Sequence, residues 1–139
     1  MYEFTNRFKK NFGIKMCAQD CVEDPTEDNK LRLLAELILR IEDGCEALVP
    51  MTIVGETIHY NTVSDGFDEW IPMFTDWDEL TREELPEFTL SQPIRCILQD
   101  AFDHRRAEGI VLNLHTEEVF INKEDLDLVL DYFLQSEAE

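Results

Sequence analysis

The chain has 139 residues, 44% of them hydrophobic, which suits one domain with a core of its own and leaves little room for two. Twelve Lys and Arg stand against 31 Asp and Glu, for a formal net charge of -19. A mean field of that sign repels phosphate, arguing against nucleic acid or an anionic membrane as partner; its complement is another protein with a basic surface.

Residues 1–16 hold four basic side chains and one acidic, whereas 17–139 hold eight and thirty. The first sixteen residues therefore read as a separate amphipathic arm or helix, followed by one domain over 17–139. Phe4, Phe8 and Phe12 recur every four residues and Gly13 offers a stop, the pattern of a short helix. Its Phe stripe could dock on its own domain, on a partner or on a membrane surface. Residues 17–30, polar and acidic with Pro25, read as a loop leading to a helix start at 25–28. Leu31, Leu34, Leu37, Ile38 and Ile41 then follow helical spacing, Leu33 widens the stripe, and Glu42-Asp43-Gly44 closes it.

Beyond Gly44 the period shortens, and 47–54 and 57–63 read as strands. Ser64-Asp65-Gly66 predicts a hairpin between 57–63 and 68–74. Thr75-Asp76 caps a short helix over 77–83, with Glu79 near a capping-box position. A strand over 87–90 and a helix opened by Ser91-Gln92-Pro93 follow, the helix burying Ile94, Ile97, Leu98, Ala101 and Phe102. Strands at 110–114 and 119–121 and a helix over 123–135, capped by Asn122 and burying Leu126, Val129, Leu130, Phe133 and Leu134, complete the order. The fold class expected is α+β: a single domain with a mixed or antiparallel sheet and helices packed mainly on one face.

Three segments carry a likeness. Asp65-Gly66, Trp70-Ile71-Pro72-Met73-Phe74-Thr75 and Asp78-Glu79-Leu80, then Glu108-Gly109-Ile110-Val111-Leu112-Asn113 leading to Phe120-Ile121, and upstream Glu46–Met51, resemble the SseB N-terminal domain family, named for enhanced serine sensitivity. The resemblance spans about residues 30–135. It implies a small α+β domain without an established enzyme activity or cofactor. The family often places Pro after that Asn, whereas Leu114 and His115 follow Asn113 here.

Chemistry legible in the line of residues is sparse. Cys17 and Cys21 are spaced C-x3-C, without the further Cys or His pair that zinc requires. With Cys45 and Cys96 they read as reduced thiols in a cytoplasmic chain, since residues 1–15 lack the apolar region of an export signal. No apolar run reaches the roughly 20 residues of a membrane span. Asp76, Asp78 and Glu79 lack the central Gly of a calcium loop. Of His59, His104 and His115 none sits in a nucleophile motif, and only His115, beyond a strand end, is placed where a loop could expose it. The expectation is therefore no cofactor, no metal and no catalytic set, and an acidic protein-interaction module. Trp70 and Trp77 are its aromatic anchors among Asp68, Glu69, Asp76, Asp78 and Glu79, with His115 as a further candidate contact. An immunity-type or inhibitor protein masking a basic site, and an enzyme whose site no linear motif reveals, are the alternatives.

Overall fold

Among the described residues seven strands sort into two sheets, and one pair of residues links the sheets by backbone hydrogen bonds. In the computed structural model, which describes residues 8–81, 88–114 and 116–138, a 3-10 turn at Lys9–Asn11 leads into α1 (Phe12–Glu23) and α2 (Glu27–Glu42). Then come β1 (Glu46–Val54), β2 (Thr57–Tyr60), β3 (Val63–Ser64), β4 (Glu69–Met73), α3 (Trp77–Leu80), β5 (Phe88–Pro93), α4 (Ile94–Asp103), β6 (Ala107–Leu112), β7 (Val119–Asn122) and α5 (Lys123–Ala138). The first sheet is antiparallel, in the order β2-β1-β5. The second is mixed, β3-β4-β6-β7, its one parallel pair being β4 with β6. Leu48 N–H donates to the Phe74 carbonyl at 2.9 Å and Phe74 N–H to that of Leu48 at 2.8 Å, joining the sheets.

One face of both sheets and all four long helices share the main core: Val49 and Met51 of β1, Ile71 and Met73 of β4, Ile110 and Leu112 of β6, with Ile14, Leu37, Ile97 and Val129 from the helices. The α+β class is the one expected, with helices on that face. A second cluster, Phe8, Leu48, Phe74 and Leu80, fills the other side of the sheet junction. No helix among the described residues is long and apolar enough to cross a membrane.

Local chemistry accounts for the helix starts. Thr26 accepts a hydrogen bond from Asn29 N–H at 3.2 Å, and Asn122 Oδ1 one from Asp125 N–H at 3.0 Å, each satisfying an amide with no partner inside its helix.

Several expectations are corrected. Residues 17–23 belong to α1 rather than to a loop, and α1 crosses the 16/17 boundary drawn from charge. Gly13 does not end a helix; it lies in the first turn of α1, where an added Cβ would stand 2.2 Å from Glu36 Oε1, so its lack of a side chain lets α1 and α2 approach. The Phe stripe divides, Phe8 being buried and Phe12 exposed, while Phe4 lies outside the described residues. Leu31 and Leu134 face solvent. Strand β2 pairs with β1 rather than with β4, leaving only Val63 and Ser64 for the expected hairpin.

Gly109 opens the β6–β7 pairing where a Cβ would lie 2.0 Å from the Ile121 carbonyl oxygen and 2.9 Å from Asn122 Cα. Both neighbours are backbone, so neither can rotate away. Gly109→Ala should cost about 3 kcal/mol, the upper end of overpacking effects, read as the shift in urea midpoint; an unchanged midpoint would show that β7 yields.

Candidate functional site

Four polar side chains are buried among the described residues: Asn11, Thr75, Glu79 and Asn113. They sit together, because each solves a backbone or charge problem raised by the next. At the end of β6, Asn113 takes a left-handed conformation with φ 46°, one that Asn tolerates better than most residues. Its N–H still donates to the Met73 carbonyl at 2.9 Å, and its Oδ1 accepts from Thr75 N–H at 2.9 Å. The Asn113 amide nitrogen reaches Thr75 Oγ1 at 3.1 Å. The side chain thus prolongs the β4–β6 pairing past the last strand residue. From the opposite side Asn11 Nδ2 donates to the carbonyls of Glu46 at 2.7 Å and Thr75 at 3.0 Å, fastening the N-terminal turn to both sheets.

One residue on, Asp76 Oδ1 accepts from Glu79 N–H at 2.9 Å and starts α3. The Glu79 side chain turns inward and is 0% exposed. Lys15 Nζ of α1 meets its Oε1 at 2.9 Å and Asp76 Oδ2 at 3.4 Å, while Thr116 Oγ1 donates to Glu79 Oε2. A carboxylate removed from water is tolerable only with such compensation. Burial opposes the charge on Lys15, yet the hydrogen bond to Glu79 and the two carboxylates outweigh it and hold the ammonium above its ordinary 10.5.

The expected face does not assemble. Trp70 is 8% exposed; its indole N–H donates to Asp65 Oδ2 at 3.0 Å and its ring lies edge-on to Phe120, with centroids 4.8 Å apart. Trp77 is half-buried against the cluster of Phe8, Leu48, Phe74 and Leu80, so it packs the sheet junction instead of standing outward. Asp76 and Glu79 are engaged with Lys15, while Asp78 is exposed. Asp68 and Glu69 lie at the far end of β4, which at five residues separates the two groups by about 16 Å. His115 lies outside the described residues.

Exposed large apolar side chains lie on outer helix faces, among them Phe12, Val22, Leu39, Leu128 and Leu134, and at two strand tips. Gly55-Glu56 closes β1 on β2 in two residues with Gly55 at φ 63°, the Gly-first turn of a tight hairpin. Beside it Ile53, Val54 and Ile58 are 56%, 60% and 50% exposed. The second tip is the β3–β4 loop, where Asp65 Oδ1 accepts from Phe67 N–H at 2.8 Å and Asp68 N–H at 2.7 Å. Those bonds, with the Trp70 indole, hold the Asp65 carboxyl below its ordinary 3.8, and Phe67 is left 95% exposed. Since β1 and β4 run antiparallel through Leu48 and Phe74, the stretch from 48 to 54 and the stretch from 74 back to 69 leave that junction in the same direction.

The cysteines are spread out. Cys17 and Cys21 are one turn apart on α1 and pack against the core, as does Cys45, whereas Cys96 is exposed. A cleft of about 360 Å³ between the α1–α2 loop and β7, lined by Cys21, Thr26, Lys30 and Phe120 among others, shares no residue with the polar network. No family model matches the chain, and neither a curated protein nor a solved structure matches it.

Removing Lys15 isolates the Glu79 charge. Lys15→Met should lower stability by about 3 kcal/mol at neutral pH, while Lys15→Met combined with Glu79→Leu should recover most of that loss. Urea titration of the three proteins checks this, and a double variant no better than the single would mean that the pair does not act as a unit.

Alkaline pH supplies another check. Burial above all raises the Cys17, Cys21 and Cys45 thiols above 9.0; burial, then the bond to Asp100, raises Tyr60 above 10.0. With Lys15 also raised, the folded chain keeps protons that the unfolded chain releases, so these contributions are complete below about pH 8 and are progressively lost as pH climbs through 9 to 11 and beyond. The thermal midpoint should be level from pH 7 to about 8 and fall above it; a midpoint that rises in that window would contradict the assignment.

Proposed function

We propose that the chain is a non-catalytic, SseB-like module that binds a basic protein. The observation that carries this reading is the pairing of exposed apolar side chains with a strongly acidic stretch of chain. From residue 41 to residue 81 there are ten Asp and Glu and no Lys or Arg. That stretch forms both tips, where Ile53, Val54, Ile58 and Phe67 stand beside Glu56, Asp65 and Asp68. Apolar side chains supply contact area, and the carboxylates steer a cationic partner to it and disfavour an anionic one.

The polar network fixes the scaffold that carries the tips, its bonds running between groups of distant segments. Thr75, Glu79 and Asn113 all belong to the segments that resemble the SseB family, and in space they tie β4, α3 and β6 together. Those segments accordingly define the scaffold, and the tips provide the interaction.

Affinity capture from the native host at low salt, eluted with a salt gradient and read by mass spectrometry, tests the reading. Basic proteins should be retained and released as ionic strength rises. Capture of nothing, or of proteins retained regardless of salt and without basic character, would overturn it.

A further inference from the structure

The two sheets have four outer strands, β2 and β5 in one and β3 and β7 in the other. Open edges invite pairing with another chain, and proteins blunt them with proline, lysine, shortness or cover. β3 is only two residues long. β7 has the Lys30 ammonium on its Phe120 carbonyl at 3.2 Å, and β5 is half-buried along most of its length and ends in Pro93. β2 has none of these. It contains neither Lys nor Pro, and Thr57, Ile58 and His59 are all exposed.

Its outward groups can be named. The two-residue loop makes Val54 and Thr57 a hydrogen-bonded pair, and Asn61 N–H donates to the Pro50 carbonyl at 3.1 Å. By alternation Thr57 and His59 point their backbone groups at β1, whereas Ile58 and Tyr60 point theirs away from it. Among the described residues β5 pairs with β1 as far as Met51, and β1 and β2 stay paired on to Val54 and Thr57. Ile53 and Ile58 face each other there, on the side occupied two residues earlier by Met51 and Tyr60. Tyr60 is anchored to α4 by its hydroxyl, which donates to Asp100. The apolar side of the hairpin is therefore continuous with the core side of the sheet.

Resting on the interaction reading above, we infer that the β2 edge is a strand-addition site for an extended, basic polypeptide segment with alternating apolar residues. The backbone groups of Ile58 and Tyr60 supply hydrogen bonds, the Ile53–Ile58 pair takes the apolar side chains, and the opposite face of the added strand presents its cations to a hairpin that carries Glu56 at its turn and no Lys or Arg in either strand. A second copy of the chain is the poorer occupant, since it would bring its own Glu56 and a net charge of -19 to the same edge.

The test uses the full chain and a blocked, dye-labelled nine-residue peptide alternating lysine with valine, followed by fluorescence anisotropy and residue-resolved amide exchange. The peptide should bind with an affinity that falls as salt rises, and the Ile58 and Tyr60 amides should gain protection. A glutamate-valine analogue should not bind, and a version N-methylated at every residue, keeping the side chains but offering no N–H, should bind at least tenfold more weakly. Ile58→Lys, at an exposed position, should weaken binding to a similar degree with the thermal midpoint unchanged. Equal binding of the N-methylated peptide, or protection on another element, would overturn strand addition at β2; so would protection of Ile58 that grows with protein concentration alone, which would make a second copy the occupant. Failure of the lysine-valine peptide alongside successful capture of basic proteins would sink this inference and leave the interaction module standing, whereas failure of the capture itself would remove the module reading.

Discussion

A carboxylate with no exposure to water sets the terms for much of this chain. Glu79 is held by Lys15 from α1 and by Thr116 from the turn after β6, so the charge is tolerable only if three distant segments arrive together. That requirement fastens the N-terminal turn, because Lys15 lies one helical turn beyond Asn11, whose amide holds β1 and the end of β4. The Leu48–Phe74 bridge and the Phe8 cluster lie at the same junction. Polar knot and apolar cluster thus act on one seam, and the knot adds directional preference to a cluster that by itself would tolerate sliding.

Distance from the seam then sorts the molecule into fixed and projecting parts. β4 and β6 are buried on both faces, with Ile71, Met73, Ile110 and Leu112 toward the helices and Trp70, sealed by Phe120, on the other side. A parallel pair needs such cover. The β3–β4 hairpin has only two paired positions, so its tip extends past the layers that would hide its side chains. Phe67 is exposed for that topological reason.

Elements whose apolar spacing was complete were legible in the sequence. α2 and α4 show their buried faces at i, i+3 and i+4, and Asp76 and Asn122 announce the caps of α3 and α5. α1 was hidden because its inward face is made of Ile14, Cys17, Ala18 and Cys21, small or weakly hydrophobic residues that leave Gln19, Asp20 and Glu23 to dominate the reading. Gly13 resembled a stop because close approach to α2 cannot be seen along one segment. Ser64-Asp65-Gly66 outweighed Gly55-Glu56 as a turn signal, although the latter forms the tighter hairpin. Glu79 read as a solvated cap residue, since nothing local to α3 indicates that Lys15 will meet it. Trp70 and Trp77 read as anchors through their acidic neighbours, and packing with Phe120 buries the first while packing with the Phe8 cluster half-buries the second.

Strong net negative charge carries a consequence for the open edge. An exposed strand with isoleucines on one face is a template for self-pairing, and β2 lacks the lysine or proline that usually prevents it. Here the guard is electrostatic and lies beside the strand instead of on it: Glu56 at the turn and the net charge of -19 oppose any second copy that presents the same charges. A lysine placed within β2 would have protected the edge against every partner alike. Negative charge beside the strand leaves the backbone groups free and discriminates by sign, so the feature that keeps identical chains apart is also the one that admits a cationic strand.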